Sequence, residues 1–318
     1  MTKVAVLTVN YNSENRTIEL MESLKISSEK DFEIYIVDNA SSSDSIKRLK
    51  NYISKSKFKI ELIENSRNVG WGLACNQGFK LINKKKVPYV FVVNNDVRIG
   101  QRALEYCINV LEKDSSIGIC GVKILNADGS VQTNGGIIKP ISRLTGILFN
   151  NDEREKEKNT VILRENEFID DCAWMIRTEA MRKSGRYPNY LFLYFEELYI
   201  VYGVRKAGYF IAYNPSATVK HINYGSSGDK KNPIPVFYLT RNRFIFMKEF
   251  YPLYFPVFLF NYFLAVLPIT IVKYYLNNNG HLIEFALRGI YSGILYLFTK
   301  KKKFLFKEGG RYIMKEVA

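Results

Sequence analysis

Apolar residues in the first half of the chain come in short runs bounded by polar ones, and stretches of helical spacing lie between them. Residues 4–9 form such a run and predict a buried strand. Ile18, Leu20, Met21 and Leu24 then recur at helical spacing, predicting the first crossover helix. Residues 32–37 are a second strand, and Ser41 with Asp44 three positions on makes a capping-box-like start to a helix around 46–52. A strand at 60–63, a helix at 73–82, a strand at 89–93, a helix at 101–113 and a strand at 117–123 follow. Strands alternating with helices of this length predict an α/β fold, with a mixed, mainly parallel sheet and helices on both faces.

Beyond that point the regularity breaks. Asn126-Ala127-Asp128-Gly129 is a turn signal for a hairpin. Residues 150–159, NNDEREKEKN, carry charge without an apolar face and read as a loop. A strand is expected near 168–176, with Thr178 capping a helix to about Ser184. A helix at 196–207 stops at Gly208, a short strand covers 210–213, and 215–228 reads as loop. There is no internal repeat.

The remainder has a different character and is expected to form a separate region, 229–318, helical, basic and apolar. Residues 230–318 hold 14 Lys or Arg against 4 Glu, a net +10 of the chain's +15. Residues 253–272 are free of charge over about the length that spans a bilayer core. Residues 281–298 are apolar except for Glu284 and Arg288, which pair at i,i+4 on a helix. Lys300-Lys301-Lys302-Lys303 follows, as expected beside an anionic cytoplasmic leaflet. Pro256, Pro268 and Asn261 make a straight span costly, which favours helices lying in the interface or re-entering it over a spanning hairpin. The expected location is the cytoplasmic face of the cell membrane. Met1-Thr2-Lys3 leads straight into a strand, so no secretory signal is expected. The four cysteines form no CxxC pair, which argues against a zinc site or a disulfide framework. Basic residues beside an uncharged apolar run fit lipid better than nucleic acid, and no nucleic-acid partner is expected.

Three polar clusters follow strand ends: Thr8, Asn10, Tyr11 and Asn12; Asp38 and Asn39; and Asn94, Asn95 and Asp96. In an open α/β sheet such loops line one edge and converge on a crevice. Asp38 is a candidate acceptor for a nucleobase N–H. Asp96 can serve a diphosphate only through a divalent cation, since a bare carboxylate repels it. Asn68, Gly70, Trp71 and Asn76 belong to a glycine-containing entry into a helix that can bring backbone N–H groups to a sugar or phosphate. The chain lacks GK[ST] and GxGxxG, so ATPase and hydride-transfer readings lose support. Glu196 and Glu197 follow an aromatic loop, and one of them is a candidate base. His221, one of two histidines, is a candidate metal ligand.

Taken together, VAVLTVNYN, IYIVDNASSSDS, NVGWGLACNQGFK, VFVVNNDV, YLFLYFEEL and KAGYFIAYNPSATVKH resemble a family 2 glycosyltransferase of the GT-A fold. They are most similar to the rhamnosyltransferase-like branch of bacterial polysaccharide assembly, over about residues 3–228. The resemblance implies inversion at a sugar anomeric carbon, a nucleotide-diphosphate sugar donor, a divalent cation (Mn2+ or Mg2+) and a lipid-linked or glycan acceptor. It implies that Asp38 contacts the nucleoside, that Asn94-Asn95-Asp96 stands in for the DxD motif, that Glu197 is the base and that His221 is a late metal ligand. Asn94 leaves Asp96 as the motif's only carboxylate, Glu197 stands where Asp is common, and Tyr199 and Gly203 stand where Asp and Arg often do. Two rivals are weighed: a sugar nucleotidyltransferase, which lacks the glycine- and basic-rich N-terminal loop expected for it, and a membrane-associated glycan-binding scaffold on the same fold.

Overall fold

The computed structural model describes residues 2–133, 135–138, 147–149, 158–222, 231–308 and 310–317. The expected loop at 150–159 falls largely outside them, as do residues 223–228. Two compact units emerge, the first drawn from residues 1–137, 149–189 and 196–223, the second from 138–148, 190–195 and 224–318.

In the first unit, chain order runs β1 (Val4–Asn10), α1 (Glu14–Leu24), β2 (Phe32–Asp38), α2 (Ser43–Lys55), β3 (Ile60–Glu64), α3 (Trp71–Lys84) and β4 (Tyr89–Val93). These strands are parallel in the order β4-β1-β2-β3. Every residue of β1 and of β4 is buried, as expected for strands covered on both faces. Then come β5 (Val97–Ile99), α4 (Ala103–Lys113), β6 (Ile117–Leu125), β7 (Val131–Thr133), β8 (Gly136–Ile138), β9 (Ile147–Phe149, of which only Phe149 lies in this unit), β10 (Val161–Ile162), β11 (Glu167–Phe168), β12 (Ala173–Arg177), α5 (Thr178–Ser184), α6 (Glu196–Lys206) and β13 (Phe210–His221). β12 joins the sheet antiparallel between β4 and β6, and β13 lies parallel to β6. The sheet is therefore mixed, with a parallel half that carries the polar strand ends.

Four local expectations need correction. Ser42, not Ser41, caps α2, accepting from the Ser45 N–H at 3.4 Å, because Ser41 is already committed to Asp38. The expected strand at 168–176 is two strands, interrupted at 169–172, where Asp170 accepts from the Cys172 N–H at 2.9 Å and turns the chain. Thr178 is the first residue of α5 rather than its cap, and its hydroxyl donates to Val87 O. β13 does not end at 213: Pro215 falls in a bulge between Asn214 and Thr218, after which pairing resumes as far as His221. The hairpin at 126–129 forms as expected, with Asn126 N–H bonded to Ser130 O at 2.8 Å.

The second unit holds α7 (Pro233–Phe250), α8 (Phe255–Asn261), a π-turn over Tyr262–Val266, α9 (Leu267–Leu276), α10 (His281–Thr299) and a hairpin of β14 (Lys302–Glu308) and β15 (Arg311–Val317). The hairpin corrects the all-helical expectation, and the lysine run at 300–303 leads into it. The π-turn sits just before Pro268, whose missing N–H breaks the regular ladder. α7 and α10 meet at Gly289 and Gly293, where an added Cβ would lie 2.6 Å from Phe237 O and 2.8 Å from Arg241 O. Between them Arg241 and Asn242, both fully buried, hold the 190–195 segment. Arg241 donates to Tyr190 O at 2.9 Å, and the Asn242 amide donates to Leu193 O and Tyr194 O at 2.8 Å each. Those bonds fix Tyr194 and Phe195 at φ 68° and 74°, a region side chains rarely adopt. By length and composition, residues 255–276 and 281–299 are long and apolar enough to cross a membrane, and Leu253, Phe260, Leu264, Tyr275 and Phe298 are exposed.

Candidate active site

The parallel register brings the first two polar clusters side by side, with Asn10 opposite Asp38. Asn10 Nδ2 donates to Asp38 Oδ1 at 2.7 Å, and the Ser41 N–H and hydroxyl donate to Asp38 Oδ2 and Oδ1 at 2.9 and 2.6 Å. On its other side, Asn10 Oδ1 accepts from the Thr17 hydroxyl at 2.8 Å. Asn95 Nδ2 in turn donates to Thr17 Oγ1 at 3.0 Å and to Ser13 Oγ at 2.6 Å. A continuous chain of hydrogen bonds thus runs from Asp38 through Asn10 and Thr17 to Asn95, joining the ends of β2, β1 and β4 into one edge. Asn10 and Asp38 are buried, so they shape this edge from beneath. Thr8 is fully buried within β1. Asn39 donates to Gly70 O at 3.1 Å and accepts from Asn65 at 2.9 Å, tying the second cluster to the glycine loop. Gly70, at φ 85°, starts α3 and bonds through its N–H to Asn68 Oδ1. Among the expected donor residues, Tyr11 is about half exposed and Asn12, Trp71, Asn94 and Asn95 are at least partly so.

The extended β13 delivers His221 to the same edge. It pairs with Val97 in β5, and this places His221 Nε2 3.1 Å from Asp96 Oδ1. His221 Nδ1 lies 3.0 Å from Gln132 Oε1, which orients the ring. Arg16 Nη1 stands 3.8 Å from Asp96 Oδ2. Adjacent ligands of an octahedral cation at about 2.1 Å stand about 3 Å apart, so the Asp96 oxygen and the His221 nitrogen are spaced as two neighbouring ligands would be. No third His, Cys, Asp or Glu joins them in a metal-binding group among the described residues. That matches a cation whose remaining ligands come from phosphate oxygens and water.

The opposite wall is acidic. Glu196 and Glu197 open α6, Glu196 buried and Glu197 half-buried. The interruption before β12 turns Asp171 toward them, and Trp71 Nε1 donates to Asp171 Oδ2 at 3.1 Å. Cys172 O accepts from the Asn94 N–H at 2.8 Å, so the Asp171 turn abuts the Asp96 loop. Asn76 spends both ends of its amide on the Tyr187 backbone, at 2.8 and 3.1 Å, holding that ring beside Gly72. Burial, then the neighbouring carboxylates, raise the Glu196 and Glu197 pKa values well above the ordinary range. Burial and Asp170 push Asp171 up to about 7. A carboxylate raised in this way is a stronger proton acceptor near neutral pH than an ordinary glutamate.

Asp171, Tyr187, Gln132 and Arg16 are absent from the sequence-derived set. Asp171 lay inside an expected strand; the adjacent acidic pair Asp170-Asp171, costly in a buried strand, was the available signal. Gln132 and Arg16 carry no local signal.

The family model for glycosyl transferase family 2 matches residues 5–185. An N-acetylglucosaminyl-diphospho-decaprenol L-rhamnosyltransferase of Mycobacterium tuberculosis (strain CDC 1551 / Oshkosh) is 21% identical over 244 residues, covering 70% of this chain and 77% of its own. Among solved structures, Staphylococcus aureus TarS 1–349 in complex with UDP-GlcNAc aligns at TM-score 0.56 and 13% identity, over 98% of this chain and 96% of that one. The mannosyltransferase PcManGT of Pyrobaculum calidifontis, in complex with GDP-Man and Mn2+, aligns at 0.54 and 11%, over 92% and 87%. GalNAc-T7 with UDP, GalNAc and Mn2+ aligns at 0.55 and 15%; this chain is covered to 70% and spans less than half, 44%, of that one. The strand order, the polar edge and these matches lead to one assignment: the chain belongs to glycosyl transferase family 2 and has the GT-A fold.

Proposed function

We propose that this glycosyltransferase transfers a sugar, with inversion, from a nucleotide-diphosphate donor to a hydroxyl of a lipid-linked glycan at the cytoplasmic face of the membrane. The observation that carries the reading is the approach of Asp96 Oδ1 and His221 Nε2 to 3.1 Å, on the edge that the Asn10–Thr17–Asn95 hydrogen bonds join to Asp38.

Asp96 and His221 would hold Mn2+ or Mg2+, which when bound neutralises negative charge on a leaving diphosphate. Gln132 keeps the His221 ring turned toward Asp96. Asp38 and Asn10 fix the loop on which the nucleoside rests, and Tyr11, Asn12, Asn94 and Asn95 offer it their exposed groups. Glu197 takes the proton of the acceptor hydroxyl as its oxygen attacks the anomeric carbon opposite the nucleoside diphosphate. Glu196 is the more buried of the pair, so it leaves the base role to its partly exposed neighbour. The M. tuberculosis relative, named for a sugar-diphospho-lipid acceptor, supports a lipid-linked acceptor. The exposed apolar residues of 253–276 and the lysines at 300–303 fit an anionic membrane surface, where such an acceptor resides.

The test is a panel of nucleotide-diphospho-sugars incubated with full-length protein and a lipid-extracted acceptor pool, with products read by mass spectrometry. Consumption of one donor, abolished by chelator, is expected. Failure with every donor would leave the glycan-binding scaffold as the better reading.

A further inference from the structure

Beside the expected base lies a cluster of polar side chains that the transfer mechanism above leaves without a role. Tyr187 is 3% exposed, and its hydroxyl has no hydrogen-bond partner among the described residues; the same holds for Glu196 Oε1, on a residue also 3% exposed. Two such groups buried without partners are costly unless a ligand supplies the missing bonds. Both lie close enough to Asp171 to interact with it electrostatically, as does Glu197. Trp71 Nε1 donates to Asp171 Oδ2 at 3.1 Å. Aromatic rings border the cluster: Trp71 stands against Asp171, and the Tyr187 ring packs on Phe79 with centroids 6.4 Å apart.

Carboxylates that accept, a phenol that both donates and accepts, and flat apolar ring faces are what a polyhydroxylated ring requires. Position selects which sugar. The Asp171 turn is bonded through Cys172 O to Asn94 on the metal side, and Asp171 interacts with Glu197 on the base side. It therefore stands where an attacking acceptor must sit, rather than under the nucleoside.

Building on the glycosyltransferase reading, we propose that Asp171, Glu196 and Tyr187 form the acceptor-sugar subsite, in which Asp171 determines specificity by accepting a hydrogen bond from a hydroxyl next to the one that attacks. Tyr187 and Glu196 line its inner wall, and Asn76 is a positioning residue that holds Tyr187 through its backbone.

The experiment compares full-length wild type, Asp171→Asn and Tyr187→Phe on an N-acetylglucosaminyl-diphospho-lipid and its mono-deoxy analogues, with UDP, GDP and dTDP binding measured in parallel. Loss of a charge-assisted hydrogen bond should raise the acceptor KM of Asp171→Asn by about tenfold. Binding of the nucleoside diphosphate should be unchanged. One deoxy analogue should penalise wild type but carry no further penalty in Asp171→Asn, and Tyr187→Phe should lose discrimination at a different hydroxyl. Variants that keep the wild-type acceptor KM and the full deoxy pattern overturn the subsite while leaving the glycosyltransferase reading intact. A wild-type protein that binds no nucleoside diphosphate overturns that reading instead. One that binds nucleotide yet ignores the sugar-diphospho-lipid overturns this acceptor class and the subsite with it. If Asp171→Asn no longer binds nucleotide, the Tyr187→Phe arm decides.

Discussion

Gly203 stands six residues beyond Glu197 on α6, and its lack of a side chain lets that helix rest directly on the end of α5. A Cβ added there would overlap the carbonyl oxygen of Ser184 and lie 3.0 Å from both its carbonyl carbon and its Cβ. Ordinary contact begins near 3.4 Å, so Gly203→Ala must push α6 away by roughly 1 Å, against backbone that cannot rotate aside. Overpacking of this kind costs about 1–3 kcal/mol, and alanine's better helix propensity returns about 1 kcal/mol of it. The net, about 1 kcal/mol, lowers Tm by about 2–4 °C. The effect on turnover should be larger. Glu197 moves with the helix, and a misplacement of about 1 Å in a reacting group costs on the order of 10²-fold. Steady-state transfer should therefore lose ten- to hundredfold in kcat, while calorimetry records unchanged nucleoside-diphosphate binding at the strand ends, which α6 does not carry. A Gly203→Ala protein with wild-type kcat would refute the link between this close approach and the base, as would one in which nucleotide binding falls in step with turnover.

Three further outcomes follow. Glu197→Gln should keep nucleotide binding and lower kcat by about 10²–10⁴-fold, the usual contribution of a general base; unchanged turnover removes Glu197 from that role. Because its folded pKa lies above the unfolded value, ionised Glu197 destabilises the protein once pH exceeds both, so Glu197→Gln should also raise Tm at pH 8, and an unchanged or lower Tm contradicts the raised pKa. The base must be ionised to work, so kcat/KM should fall on acidification through that raised pKa. Asp171→Asn removes a like charge that helps to raise it, and should shift the acid limb to lower pH; a limb that stays in place denies the coupling.

The parallel half of the fold was legible because its strands are buried on both faces and so read as unbroken apolar runs, such as 34–37 and 90–93. The reach of β13 was not: Pro215 ends most strands, and nothing local reveals that a bulge absorbs it and pairing resumes toward His221. Residues 302–308 were hidden by their lysines, although Phe304 and Leu305 bury against Phe192 and Tyr238 in the second unit's own core. On the donor edge, residue type and strand position together sufficed to propose Asn95, Asp96 and His221. The wall opposite depends on tertiary placement. Asp171 becomes part of it only because the strand breaks at 169–172, and Tyr187 only because Asn76 seizes its backbone from a helix 111 positions away.

Titration of Mn2+ into full-length protein with UDP present, comparing wild type with Asp96→Asn and His221→Gln, measures the cation site itself. One cation should bind per wild-type chain, with affinity at least tenfold weaker in each variant while the fold is retained. An Asp96→Asn protein that binds Mn2+ as tightly as wild type would contradict it.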